Sequence, residues 1–370
     1  MRKTYIGRDF SVADGTGQDP RRRIRIPLGL PRKPLFCKGF CSRRAKPFET
    51  SKRHNIMRAA LRSPLQRMMR ALVAASLLIG TPAVFPPVGG VSITGGRRLY
   101  TECRGVGSPT VILESGLRTR GDNWSRPDVM PARATPVLPA VAAFTRVCEY
   151  DRPGTALGTT PSDYSRSDPV PMPRTAADAV RDLHDLLRAA RVPGPYVLVG
   201  HSFGGQIVRL YAATYPRDVV GLVLVDALPE QLRSQMTSAQ WKTYIGLNTK
   251  PPAPLAAYKA IEVMDFDASF DQTRKATRAA PLRTMPVVVL SKGRPFNLTG
   301  ARVPPGFAAA LDGGWSKAQD QLSAGLPHAA HVIVRDSSHY IELERPDVVV
   351  HSIRRVVNAV RSGRVIIAPD

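Results

Sequence analysis

The sequence predicts an α/β protein, a mostly parallel central sheet with helices on both faces. Three observations carry this. Short Val-, Leu- and Ile-rich runs alternate with helix-patterned segments over residues 91–365, as strands joined by helical crossovers do. The apolar runs are continuous rather than alternating, which suits strands covered on both faces. The chain of 370 residues, 43% hydrophobic and 22% charged, suffices for one large domain and something extra.

The elements follow in order. Val91–Thr94, a Gly95-Gly96 turn and Arg98–Cys103 read as an opening hairpin. Val111–Glu114 is a short strand ending at Ser115-Gly116, and Thr145–Tyr150 is a strand running into Asp151-Arg152-Pro153-Gly154. Pro195–Gly200, Val219–Val225, Pro286–Leu290 and His331–Arg335 complete the strands. Thr175 with Asp178 forms a capping box, and Val180, Leu183 and Leu187 then recur at helical spacing. Pro346 suits a first helical turn, with Val349, Ile353, Val356 and Val360 along the buried face of a last helix. Between the strands ending at Val225 and starting at Pro286 lies too much chain for a plain crossover, so residues 228–285 carry a small helical insertion. Its Met236, Trp241, Tyr244, Tyr258, Met264, Phe266 and Phe270 fit an apolar lid over a site, or a helical excursion packed on its own host.

The formal charge of +24 is mostly a property of the N-terminal segment. Residues 1–70 hold 19 Lys and Arg against 4 Asp and Glu, leaving +9 for the other 300 residues. No nucleic-acid partner is therefore expected for the folded domain. Residues 1–67 show no apolar period and read as disordered. Such a segment is a basic arm for nucleic acid or anionic lipid, with transient membrane-surface contact, or a long leader, or sequence upstream of a true start at Met68 or Met69. The start at Met68 or Met69 is preferred, because a secretory signal begins there. Met68-Met69-Arg70, the apolar stretch Ala71–Gly80 and Thr81-Pro82-Ala83 are its three parts. Residues 68–90 are thus a signal-like segment and linker, and the expected location is secreted or cell envelope, the alternative being cytoplasmic. In an oxidising compartment Cys103 and Cys148 can pair, the alternative being two buried thiols.

Gly200-His201-Ser202-Phe203-Gly204 follows a buried strand and precedes a helix. That context exposes the serine hydroxyl on a sharp turn and aims a helix N-terminus at it, where backbone N–H groups hold a developing anion. A serine needs a base, and the base needs an orienting carboxylate. His339, just beyond the last strand, holds the position such a base requires. The other histidines read as core or surface residues. His328 and His331 are three apart without companion ligands, so no metal site is read.

Five pieces resemble the α/β-hydrolase family, in its serine esterase, lipase and peptidase-like branch, over essentially all of 91–365. They are Glu114-Ser115-Gly116, Tyr150–Gly154, Gly200–Gly205, Leu224–Ala227 and Ser338-His339. The resemblance implies cleavage of a small-molecule ester, amide or related acyl bond through an acyl-enzyme, with neither metal nor organic cofactor. A serine at position 202 separates the chain from relatives whose nucleophile is a carboxylate. The family usually places the triad acid after the strand that ends here at Leu290, but no Asp or Glu follows before Asp312. Asp226, at the end of the preceding strand, is therefore assigned, with Glu230 and Asp312 as weaker candidates. The oxyanion donors implied are the amides of Leu117 and Phe203. Arg118 and Arg120 read as solvated surface residues or as a bias toward an acidic substrate, and Asp151-Arg152 as a brace below the site. Within the same fold a peptidase, an acyltransferase, a cofactor-free peroxidase or a non-catalytic binding protein would show the same pieces.

Overall fold

A computed structural model of the chain describes residues 88–364, apart from 127–129, 132–133, 281, 283–284 and 327–328. The segments read as a basic tail and a signal, and His328, lie outside the described residues.

Eight strands among the described residues form one sheet: β1 (Val88–Ser92), β2 (Arg98–Arg104), β3 (Thr110–Glu114), β4 (Val147–Tyr150), β5 (Tyr196–His201), β6 (Val219–Val225), β7 (Val287–Lys292) and β8 (Ala329–Val334). Their order is β1-β2-β4-β3-β5-β6-β7-β8. Only the β1–β2 and β2–β4 pairings are antiparallel. The opening strand starts at Val88, earlier than the hairpin the sequence predicts. Gly89 and Gly90 carry no side chain by which a pattern reveals an edge strand.

The continuous apolar runs serve both faces. On β5, Leu198 enters one core and its neighbours Val197 and Val199 the other, as the two-residue period of a strand requires. The first core packs under α2 (Ala176–Ala189), α3 (Phe203–Thr214), α5 (Phe266–Ala279) and α6 (Phe307–Ala324). The second packs under α1 (Val137–Ala142) and α7 (Pro346–Ser362), where Val349, Ile353 and Val356 are fully buried. Helix α2 begins at the expected Thr175–Asp178 capping box.

The insertion between β6 and β7 holds α4 (Ser238–Thr249), α5 and two short 3₁₀ turns. Trp241, Tyr244, Phe266 and Phe270 all join the first core. The ring of Phe266 lies edge-on to Phe203 at 5.4 Å. Burying each such side chain contributes roughly 1.5–3 kcal/mol, so the insertion is a helical excursion seated on its host beside the serine turn. Cys103 and Cys148 face each other across β2 and β4 and form a disulfide.

Candidate active site

Strand β5 ends at His201 and α3 begins at Phe203, so Ser202 alone makes the turn. It does so at φ 52° and ψ −123°, a conformation that costs a non-glycine residue about 1–3 kcal/mol. The surroundings enforce it. The Ser202 amide donates to the Val225 carbonyl at 3.1 Å, and the Ser202 carbonyl accepts from the amides of Gly205 at 2.9 Å and Leu228 at 2.8 Å. Gly204 is required by close approach, since a Cβ there would lie 2.6 Å from the Glu114 carbonyl oxygen. The result is a half-buried serine at the positive end of α3.

His339 arrives on the turn after β8. Glu344 secures that turn, accepting from the Ser338 amide at 2.8 Å and the Ser338 hydroxyl at 2.7 Å. His339 Nε2 lies 2.9 Å from Ser202 Oγ, and Nδ1 lies 2.6 Å from Asp226 Oδ2. A carboxylate only accepts, so Nδ1 carries the proton and Nε2 offers its lone pair to the serine hydroxyl.

Asp226 directly follows β6 at φ 38°, fully buried, with its amide on the Leu290 carbonyl at 2.7 Å. Its Oδ1 accepts the Lys292 amide and the Trp315 indole N–H, each at 3.0 Å. Three donors thus fix this carboxylate, and Ser202, His339 and Asp226 form one hydrogen-bonded line. The other acid candidates lie elsewhere. Glu230 forms a bidentate pair with Arg209 at 2.6 and 2.7 Å. Asp312 takes Lys292 Nζ at 2.6 Å and the Phe296 amide at 2.9 Å.

Leu117 lies in the loop after β3, close to the serine turn. Gly116 there approaches so near that a Cβ on it would stand 3.3 Å from Ser202 Cβ. The Leu117 and Phe203 amides have no acceptor among the described residues. Arg118 and Arg120 are neither the solvated surface residues nor the bias toward an acidic substrate that the sequence suggests. Both are buried. Arg118 donates to the Glu262 carbonyl at 3.0 Å and the Asn248 carbonyl at 2.6 Å. Arg120 pairs with Asp122 and reaches the carbonyls of Ser162 and Tyr164. Backbone acceptors more than forty residues away help hold both side chains, and for Arg120 the neighbouring Asp122 is a local partner. Arg152 is a brace, gripping Glu114, Glu262 and the carbonyls of Ser115 and Gly116. Burial alone would lower the Arg152 pKa, but the two carboxylates hold its guanidinium charged.

Residue types alone give no hint of one further pair. His201, fully buried, donates from Nε2 to the His339 carbonyl at 2.9 Å. Its Nδ1 lies 3.2 Å from Glu342 Oε1, off the line of a hydrogen bond. Burial, then the nearby His339, pushes the His201 pKa well down. Burial pushes that of Glu342 up to about 8, so both sit neutral beneath the site.

Residues 111–352 match the family model described as the alpha/beta hydrolase family. The chain belongs to the alpha/beta hydrolase family. Among curated relatives, it is 26% identical over 265 residues to the uncharacterized protein YqjL of Bacillus subtilis, covering 69% of this chain and 86% of that one. It is 28% identical over 215 residues to a pimeloyl-[acyl-carrier protein] methyl ester esterase of Chromobacterium violaceum, covering 55% and 68%. Two other curated relatives are matched over only 27% and 26% of their length. Among solved structures, Est816, described as an N-acyl homoserine lactone degrading enzyme, aligns at a TM-score of 0.46 and 18% identity, covering 72% of this chain and 98% of that one. Membership of this family supports hydrolase activity, and among the described residues no group of His, Cys, Asp and Glu is arranged to hold a metal.

Proposed function

We propose that this hydrolase is a serine enzyme that cleaves a carboxylic ester, or a related acyl bond, through an acyl-enzyme. The observation that carries the reading is the unbroken line from Asp226 through His339 to Ser202, with spacings of 2.6 and 2.9 Å. His339 Nε2 takes the Ser202 proton as Oγ attacks the acyl carbon, and Asp226 stabilises the imidazolium that forms. The carbonyl oxygen, now an oxyanion, accepts the amides of Leu117 and Phe203. Collapse expels the alcohol, protonated by His339, and a water activated by the same imidazole then releases the acid. Aromatic rings of Phe296 and Trp315 stand 5.2 and 5.3 Å from the imidazole and pack around the base. The relative named for ester hydrolysis agrees with an ester in first place over a peptide.

A fluorophosphonate probe tests this. It should label Ser202, and Ser202→Ala should abolish both labelling and turnover of short p-nitrophenyl esters, by a factor on the order of 10⁶ in the subtilisin precedent. Hydrolysis unchanged in a folded Ser202→Ala protein would overturn the mechanism. The same reading takes the enzyme to the cell envelope or beyond, supported by the signal-like residues 68–83 and by the Cys103–Cys148 bridge.

A further inference from the structure

Glu262 belongs to the insertion, is 2% exposed, and meets the Leu117 loop from a distant part of the chain. Its Oε2 accepts the Arg118 amide at 2.6 Å. Arg152 grips the same carboxylate, Nε to Oε1 at 2.7 Å and Nη2 to Oε2 at 2.9 Å. Arg152 also donates to the Ser115 carbonyl at 2.7 Å and the Gly116 carbonyl at 2.6 Å. Peptide planarity gives these contacts a consequence. In a trans peptide the C=O and N–H point in opposite directions. The 116–117 peptide has its carbonyl fixed on Arg152, and the 117–118 peptide has its N–H fixed on Glu262. Leu117 is therefore held from both sides, and its own N–H is turned away from Arg152. Arg118 stands at φ 59°, a backbone state that a non-glycine residue keeps only when its surroundings impose it. Its side chain ties the loop to the insertion a second time, at the Glu262 and Asn248 carbonyls.

We propose that Glu262 is a positioning residue that seats the Leu117 amide for the oxyanion, so that the insertion must be docked before the site can hold a tetrahedral intermediate. The proposal rests on the assignment of Ser202, His339 and Leu117 above. Glu262 touches no substrate. It acts through the Arg118 peptide and Arg152.

Glu262→Gln tests it, because one amide oxygen cannot accept from Arg118 and both Arg152 nitrogens. Loss of an oxyanion donor costs about 10²–10³ in kcat. The variant should fall by about 10–10² for p-nitrophenyl butyrate with KM changed less than about threefold. Affinity for a trifluoromethyl ketone, whose adduct carries the same oxyanion, should fall by a matching factor. General loosening of the fold would not move kcat and inhibitor affinity together at constant KM. If Ser202→Ala abolishes turnover while Glu262→Gln keeps kcat within about twofold and binds the ketone as tightly, the clamp is wrong and the serine mechanism stands. If Ser202→Ala leaves turnover intact, the mechanism itself has failed. Should Glu262→Gln not fold, hydrogen exchange on the wild-type chain decides. Ketone binding should slow exchange in residues 115–119 and 258–264 together, and slowing in 115–119 alone would overturn the clamp.

Discussion

Trp315 donates its indole N–H to Asp226 Oδ1 at 3.0 Å, and its ring stands 88° to the His339 imidazole at 5.3 Å. One side chain of α6 therefore orients the acid and walls the base. Trp315→Phe keeps the wall and removes the donor. A hydrogen bond to a charged group contributes about 1.5–3 kcal/mol, and the Lys292 amide remains to hold Oδ1. The expected result is a fall in kcat of about tenfold, with the melting temperature lowered by several degrees because a buried hydrogen bond and part of a packed ring are lost. Full activity in the variant would mean that the Lys292 amide alone fixes the carboxylate.

Glu342 gives the protein a pH dependence with a definite sign. In the unfolded chain a Glu carboxyl titrates near about 4.3, whereas burial raises it to about 8 in the fold. The native state therefore binds the extra proton between those values, and stability falls as pH rises through that window. The contribution is intact below the unfolded value and gone above the folded one. His201, lowered by burial, acts the other way, its share being lost as pH falls below about 6.5. Glu342→Gln keeps a donor and an acceptor next to His201 and Asn123 without the titration. The gap in melting temperature between variant and wild type should widen from pH 5 to 9. A gap constant across that range would remove Glu342 as the cause.

How much of the fold and site was legible in the sequence differs residue by residue. Ser202 announces itself because the strand, the turn and the helix that expose it are consecutive in the chain. Asp226 can be found because β5 and β6 are neighbours and carry it to the serine side of the sheet. Trp315, Glu262 and Glu342 give no such signal. Trp315 reaches Asp226 across 89 residues, and Glu262 reaches Arg118 across 144. Such pairings are written in the tertiary packing of the insertion and α6, not in any local spacing. The insertion's apolar residues show the same limit, since their composition fits a lid and a packed excursion equally.

The disulfide and the location are tested by one thiol count. Cys103 and Cys148 are buried and bridged, while Cys37 and Cys41 lie in the N-terminal segment. A secreted form starting after Ala83 should show no titratable thiol until it is reduced, and a full-length form should show the tail thiols. Removing the bridge by Cys103→Ala with Cys148→Ala should cost about 2–5 kcal/mol in denaturant unfolding. Free domain thiols in unreduced native protein would break the structural assignment and weaken the case for export.

Asp226→Asn bears on the least expected part of the site, an acid on the strand before the usual one. The carboxylate keeps the proton on His339 Nδ1, and the serine proton must pass to Nε2. An asparagine amide can turn its NH₂ toward Nδ1 because the Trp315 and Lys292 donors hold its oxygen. Nδ1 then becomes the acceptor, Nε2 carries the proton, and the base faces Ser202 in the wrong tautomer. In the serine-protease precedent the same exchange lowers kcat by about 10⁴, and a loss of roughly 10³–10⁴ is expected here on that basis. Glu230→Gln and Asp312→Asn should leave kcat within about tenfold, as their carboxylates face Arg209 and Lys292 and not the imidazole. Esterase kinetics of the three variants, each checked for its fold by circular dichroism, make the comparison. Near-normal turnover in Asp226→Asn with a large loss in Asp312→Asn would move the acid to α6 and leave Ser202 and His339 in their roles.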